Sequence, residues 1–138
     1  AILEDRPIDV YNYGDMQRDF TYIDDVVEAV VRVMDKTPDS DSRGLGEPPD
    51  RTASTAPYKI YNIGNHQPVK LSEFIAALEN VIKKKAVKNM LPMQAGDVPA
   101  TYAEVDDLRD AVGYAPATPL ATGIERFVKW YKGYLSPT

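Results

Sequence analysis

The side chains best suited to chemistry in this chain are an arginine and an amide with a carboxylate, placed far apart in sequence. Arg18 follows Gly14-Asp15-Met16-Gln17 and precedes Asp19-Phe20-Thr21-Tyr22, between a glycine turn and an expected short strand. A guanidinium there can be aimed across a cleft at a phosphate, which its planar fork grips through parallel hydrogen bonds. An arginine in such a place also serves as an ordinary surface ion-pair partner. Gln94, Gly96 and Asp97 lie in a loop bounded by Pro92 and Pro99. The amide and carboxylate can hold ribose hydroxyls, although Gly-Asp is also a common turn pair. Asp24-Asp25 and Asp106-Asp107 suggest metal or acid–base work, yet each pair stands where a helix is expected to begin, which favours capping. His66 is the single histidine, with no cysteine or second imidazole to complete a zinc shell, and reads as a polar loop residue.

Two negative findings narrow the chemistry. The eight glycines, at 14, 44, 46, 64, 96, 113, 123 and 133, never form a G-x-G-x-x-G or G-x-x-G-x-x-G run, so no dinucleotide fingerprint is encoded. None of the nine tyrosines is followed four residues later by a lysine. That spacing would place an ammonium beside a phenolate on one helical face and lower its pKa. No catalytic Tyr-x-x-x-Lys dyad is therefore present.

The 138 residues suffice for one domain with a core, and 43% hydrophobic content is ordinary for a folded, soluble chain. Sixteen basic against 21 acidic residues give a net charge of -5, which argues against broad binding to nucleic acid or an anionic membrane. One well-placed arginine can still hold a specific anion. The absence of cysteine excludes disulfides and thiolate metal sites and suits a cytoplasmic protein. No signal peptide and no run of membrane-spanning length is evident. Ala1-Ile2-Leu3-Glu4 reads like the tail of a helix, so the chain is expected to be a cut piece.

The elements that must position these residues follow from periodicity and punctuation. Ile8 to Asn12 alternates apolar and polar side chains and predicts a strand, with Tyr13-Gly14-Asp15 as its turn. A helix capped by Asp24 should run to about Lys36, burying Ile23, Val27, Val30, Val31 and Met34. Residues 38–57, rich in Pro, Gly, Ser and Asp, predict a variable surface loop. Tyr58 to Ile63 predicts a second strand ended by Gly64-Asn65, and Ser72 should cap a helix carrying Phe74, Ile75, Leu78, Val81 and Ile82. Lys83-Lys84-Lys85 with Lys88 reads as a solvated helix end. Val87 to Leu91 predicts a strand and Pro92 to Pro99 a loop. A short helix should open at Asp106 or Asp107 and close at Gly113, and Pro119 should begin a last helix with Leu120, Ile124, Phe127, Val128 and Tyr131 as its apolar stripe. Trp130, Tyr131 and Tyr134 are expected as core and rim residues of that helix. Strands alternating with helices indicate the α/β class.

Four blocks carry a family resemblance. They are Ile8-Asp9-Val10-Tyr11-Asn12-Tyr13-Gly14 running into Arg18-Asp19-Phe20-Thr21-Tyr22-Ile23-Asp24-Asp25-Val26, then Ala56-Pro57-Tyr58-Lys59-Ile60-Tyr61-Asn62-Ile63-Gly64-Asn65, then Pro92-Met93-Gln94-Ala95-Gly96-Asp97-Val98-Pro99-Ala100-Thr101-Tyr102-Ala103 through Asp106-Asp107-Leu108, and Phe127-Val128-Lys129-Trp130-Tyr131. In this order they resemble the C-terminal part of the extended short-chain dehydrogenase/reductases, most closely the bacterial UDP-glucuronate 4-epimerases. The resemblance covers nearly the whole chain apart from the region near 38–57. It implies an α/β, substrate-binding C-terminal portion that keeps an outer strand of the Rossmann sheet, Tyr58 to Ile63, while the N-terminal Rossmann core is absent.

The resemblance also implies roles. Arg18 corresponds to the arginine that reaches the diphosphate of the nucleotide sugar, Val10 and Tyr11 to the segment that meets uracil largely through backbone, and Asp97 to the carboxylate on the ribose hydroxyls. Gln94 stands where UDP-galactose 4-epimerases carry a second phosphate-binding arginine, a departure that favours the glucuronate subgroup. The implied chemistry of a complete enzyme is transient oxidation at the sugar C4 by bound NAD, turnover of the 4-keto sugar, and return of hydride to its other face, interconverting UDP-glucuronate and UDP-galacturonate. NAD would be held mainly by the N-terminal half, so this chain alone would be inactive. Such enzymes commonly form homodimers and serve polysaccharide biosynthesis. Relatives acting on UDP-N-acetylhexosamine, and 4,6-dehydratases or decarboxylases, differ mainly in the other half. A free-standing binding module is the alternative from another class.

Overall fold

The computed structural model describes residues 1–38 and 57–135 of the chain. In chain order it forms β1 (Ile8–Val10), a 3-10 turn (Tyr11–Gly14), β2 (Gln17–Asp19), α1 (Ile23–Met34), β3 (Pro68–Lys70), α2 (Leu71–Ile82), β4 (Lys88–Met90), α3 (Asp106–Val112) and α4 (Leu120–Leu135). The α/β class expected from the sequence is the class observed. β1 and β4 pair in parallel with Ile8 opposite Lys88 and Val10 opposite Met90. β2 and β3 pair antiparallel with Arg18 opposite Val69. A single parallel bridge joins Gln17 to Ala100 on the other edge of β2.

The core lies where α2 packs against α4 and α1 against α3. Ile75 from α2 and Ile124 and Val128 from α4 are buried, and Phe20 stacks on Phe74 with ring centroids 4.2 Å apart. Leu108 of α3 is fully buried and contributes about 1.5–3 kcal/mol by leaving water. Ala29 of α1 is also fully buried.

Local signals placed several ends correctly. Gly113 takes up a left-handed conformation (φ 64°) and donates its N–H to the Arg109 carbonyl, closing α3 as a glycine cap should. The first bond of the last helix runs from the Gly123 N–H to the Pro119 carbonyl. The expected side-chain caps did not form. The residues preceding α1, α2 and α3 are Tyr22, Lys70 and Val105, and none makes a side-chain cap bond. Asp24, Asp25, Asp106 and Asp107 lie inside the first turns, where their charge still favours the positive end of the helix. Asp25 reaches away instead, accepting from the Ala117 and Thr118 N–H groups, the Thr118 hydroxyl and the Tyr114 hydroxyl. Burial raises its pKa, but the hydrogen bonds from Thr118, Ala117 and Tyr114 outweigh that and hold it below the usual carboxylate range.

Other expectations are corrected. Tyr58 to Ile63 forms no ladder and shows only an isolated bridge at Lys59, because no described strand lies alongside it over that length. The face of α1 expected to be buried is open: Ile23, Val27, Val30, Val31 and Met34 are 46–76% exposed, while Ala29 on another side of the helix is fully buried. Trp130 and Tyr134 stand outside the core at 60% and 69% exposure, in an aromatic row with Phe127 and Tyr131. The loop expected over 38–57 lies, apart from its end residues, outside the described residues.

One buried charge ties α2 to the segment that leads into β4. Glu79 has a side chain only 3% exposed, and its carboxylate meets Lys85 Nζ at 2.7 Å, Lys88 Nζ at 2.8 Å and the Ala86 N–H at 3.1 Å. Lys83 turns the chain at φ 63° so that these donors come back onto the helix. The lysine run read as solvated is therefore half committed to one carboxylate. Hydrogen bonds from Lys85, Lys88 and Ala86 pull the Glu79 pKa from 4.5 to about 2. A carboxylate depressed on folding stabilises fully above its ordinary pKa, and the gain is lost as pH falls through the folded value. Between wild type and Glu79→Gln the difference in Tm is thus expected to be widest near neutrality and to shrink as pH falls from 4.5 to about 2, measured by thermal unfolding across that range. A pH-independent difference would refute the assignment.

Gly64 gives a second test. A Cβ there would lie 2.5 Å from the Ala103 Cβ and 2.8 Å from Asp19 Oδ2, with no flexible chain end to give way. Gly64→Ala is expected to lower stability by about 1–3 kcal/mol through overpacking, read from the denaturant midpoint.

Candidate functional site

The residues singled out for chemistry converge on β2 and the loop between β4 and α3. Val10 ends β1 with 3% exposure, and the chain then turns sharply through Tyr11–Gly14. Asn12 and Tyr13 take positive φ of 48° and 51°, a costly conformation for residues with a Cβ. Three bonds hold it: Asn12 Nδ2 donates to the Asp15 carbonyl at 2.6 Å, Asp15 N–H to the Asn12 carbonyl at 2.9 Å, and Tyr13 N–H to the Leu91 carbonyl at 2.9 Å. Leu91 in turn donates its N–H to the Val10 carbonyl at 3.0 Å. The Val10-Tyr11 corner is thereby fixed to the start of the loop that carries Gln94 and Asp97.

Arg18 is the middle residue of β2, not a residue between turn and strand as expected, because the strand already starts at Gln17. Its side chain is 27% exposed and its fork is aimed at the same loop. Nη2 meets Asp97 Oδ1 at 2.8 Å, and Nη1 donates to the Gln17 carbonyl at 2.8 Å and the Pro99 carbonyl at 3.3 Å. Asp97 Oδ1 also accepts the Val98 N–H at 2.9 Å, and Gly96 makes the approach at φ 84°. The backbone fixes the same alignment, with the Gln17 N–H on the Pro99 carbonyl at 2.8 Å and the Thr101 N–H on the Gln17 carbonyl at 3.3 Å.

The arrangement thus brings Arg18 and Asp97 into one charge-assisted pair and sets Val10 and Tyr11 at the other end of the loop. Gln94 is exposed and contributes its carbonyl to the Asp97 N–H at 3.2 Å. A guanidinium has five N–H donors, and among the described residues it meets three acceptors, so capacity remains for an anionic oxygen. The Asp106-Asp107 pair is occupied with cations: Asp106 with Arg109 at 2.6 Å and Asp107 with Lys59 at 2.9 Å. Sequence reasoning picked out both Arg18 and Asp97 but not their mutual contact, for which a separation of 79 residues offers no local signal. It also passed over Asp19, whose carboxylate accepts the His66 N–H at 3.0 Å and the Gln67 N–H at 3.4 Å.

The chain is similar to known proteins over most of its length. Residues 1–64 match the model of the NAD dependent epimerase/dehydratase family. Protein CapI of Staphylococcus aureus is 50% identical over 97% of this chain, which spans 40% of that relative. UDP-glucuronate 4-epimerase 1 of Arabidopsis thaliana is 39% identical over 96% of the chain, which spans 31% of it. Among solved structures, UDP-glucuronic acid 4-epimerase of Bacillus cereus in complex with UDP-glucuronic acid and NAD superimposes with a TM-score of 0.74 at 26% identity, over 96% of this chain and 37% of that one. No helix among the described residues is long and apolar enough to cross a membrane. The chain is thus similar to the NAD-dependent epimerase/dehydratase family over residues 1–64 and, over nearly its whole length, to the C-terminal portion of UDP-glucuronic acid 4-epimerases that are more than twice as long.

Proposed function

We propose that this chain is the substrate-anchoring C-terminal portion of an NAD-dependent nucleotide-sugar 4-epimerase that interconverts UDP-glucuronate and UDP-galacturonate. The observation that carries the reading is the Arg18–Asp97 pair, a cation and a carboxylate held 2.8 Å apart between β2 and the 91–99 loop. An ester diphosphate offers the anionic oxygens that the guanidinium fork suits, while the carboxylate beside it can accept from ribose hydroxyls. Val10 and Tyr11 supply a backbone edge for the uracil, and Gln94 a neutral polar contact near the phosphates. Binding energy gathered at the diphosphate, remote from C4, keeps the sugar placed while its ring turns.

The described residues do not form a dinucleotide cradle. Among the described glycines none makes a phosphate-binding turn between a strand and a helix N-terminus: Gly14 precedes β2, Gly64 is packed on Ala103 and Asp19, Gly96 and Gly113 lie in a loop and at a helix end, and Gly123 and Gly133 lie within α4. In this reading NAD, present in the neighbouring structures, is held mainly by the N-terminal half of the enzyme. Two features support a larger whole: the open apolar face of α1, and Asn65 Oδ1, buried without a hydrogen-bond partner among the described residues. Inactivity of the chain alone, a homodimeric parent, cytoplasmic residence and a role in polysaccharide biosynthesis belong to the same proposal and rest on the family likeness.

In the complete enzyme, Arg18→Ala is expected to weaken UDP-sugar binding by about 1.5–3 kcal/mol, the range for a hydrogen bond to a charged group, measured by calorimetric titration. Unchanged affinity would remove Arg18 from the site. Incubation of the complete enzyme with UDP-glucuronate, followed at the anomeric proton by NMR, should show UDP-galacturonate appearing. Turnover of UDP-N-acetylglucosamine alone would keep the anchoring role and overturn the choice of sugar.

A further inference from the structure

Beyond Asp97 the 91–103 loop is fastened by a contact that the proposed binding roles leave unused. The Asp19 carboxylate takes the His66 and Gln67 N–H groups and holds His66 at φ 56°, a left-handed turn that directs the imidazole toward residues 102 and 103. His66 Nδ1 lies 3.3 Å from the Ala103 carbonyl, which can only accept, so Nδ1 carries the proton. Nε2 is then the acceptor, and the Tyr102 hydroxyl donates to it at 2.6 Å. The rings sit 4.8 Å apart, tilted by 50°. Both side chains are exposed, Tyr102 by 58%, so the contact adds little to the core.

Its position is what matters. Arg18 and Asp19 are successive residues of β2 and project to opposite faces of it. One meets Asp97 of the loop; the other holds His66, which grips the same loop five residues further on. Between these grips the loop runs along β2 through the Pro99, Ala100 and Thr101 backbone contacts with Gln17. We propose that the His66–Tyr102 hydrogen bond is a latch that sets the register of this loop, so that His66 and Tyr102 are positioning residues that present Asp97 to Arg18 and to the nucleotide. The importance for the nucleotide rests on the function proposed above; the latch itself does not.

The test uses the complete enzyme with Tyr102→Phe, which deletes only the hydroxyl, with His66→Ala, and with the double variant. Each single variant should raise the KM for UDP-glucuronate, and the Kd for UDP, by about 3- to 10-fold with kcat retained, and the double variant should be no worse than the singles. Amide hydrogen exchange at Asp97, Val98 and Thr101 should rise about tenfold in Tyr102→Phe while the α2 amides keep wild-type rates. Additive effects, or unchanged KM and Kd in both single variants, would overturn the positioning role. Unchanged loop exchange in Tyr102→Phe overturns the latch. Wild-type enzyme that binds no UDP-sugar sinks the proposed function instead, and the exchange experiment still decides the latch.

Discussion

The structure around the candidate site depends on β2 satisfying backbone partners on both of its edges with only three residues. On one side it pairs with β3, and on the other Gln17 exchanges bonds with Pro99 and Thr101. A strand this short has little independent stability, so its place is set by what surrounds it: the Asp19 carboxylate on the His66 turn, the Arg18 fork on the loop, and Met16, buried at its entry. Every candidate ligand contact is either on this strand or attached to it through the loop. A shift of one residue in β2 would exchange the faces of Arg18 and Asp19 and dismantle both grips together.

A second frame supports the first from outside. The parallel pair β1 and β4 brings Val10 beside the start of the loop, and the position of β4 depends on the turn after α2. That turn is held by Glu79, whose carboxylate receives Lys85, Lys88 and the Ala86 N–H. Burial of a carboxylate is tolerated here because each oxygen has cationic or amide partners, the condition under which a buried charge does not destabilise. The same logic operates at Asp25, where four donors from residues 114–118 tie the approach to α4 against α1. Two acidic residues thus join elements that short strands alone would leave loosely placed.

Much of this was legible in the sequence and some was not, for physical reasons that differ by residue. β1, β4, the Pro92 to Pro99 loop, the Gly113 stop and the Pro119 start rest on local backbone preferences, and the structure follows them. The helix caps were misread because each helix begins at or before the residue expected to cap it, which places Asp24, Ser72, Asp106 and Asp107 in first turns. Asp25 found its donors 89 to 93 residues away, a distance at which composition carries no information. Glu79 did leave a trace: it is an acidic residue on the same face as Ile75, followed by a lysine run. That pattern reads as a buried ion pair once the left-handed turn at Lys83 is known. At the site, the identities of Arg18 and Asp97 were readable and their pairing was not, since it is a product of the register between β2 and residues 99–101.

The open stripe of α1 also bears on how the chain behaves in solution on its own. Five aliphatic and thioether side chains presented to water on one helix make a surface whose free energy rises in solutions of excluded, strongly hydrated anions. Sulfate and phosphate would therefore drive copies together through this helix, whereas a net charge of -5 opposes contact only over the short reach that salt leaves to it. Ionic strength and anion identity become opposing controls on the same surface, one that shares no residue with the candidate site.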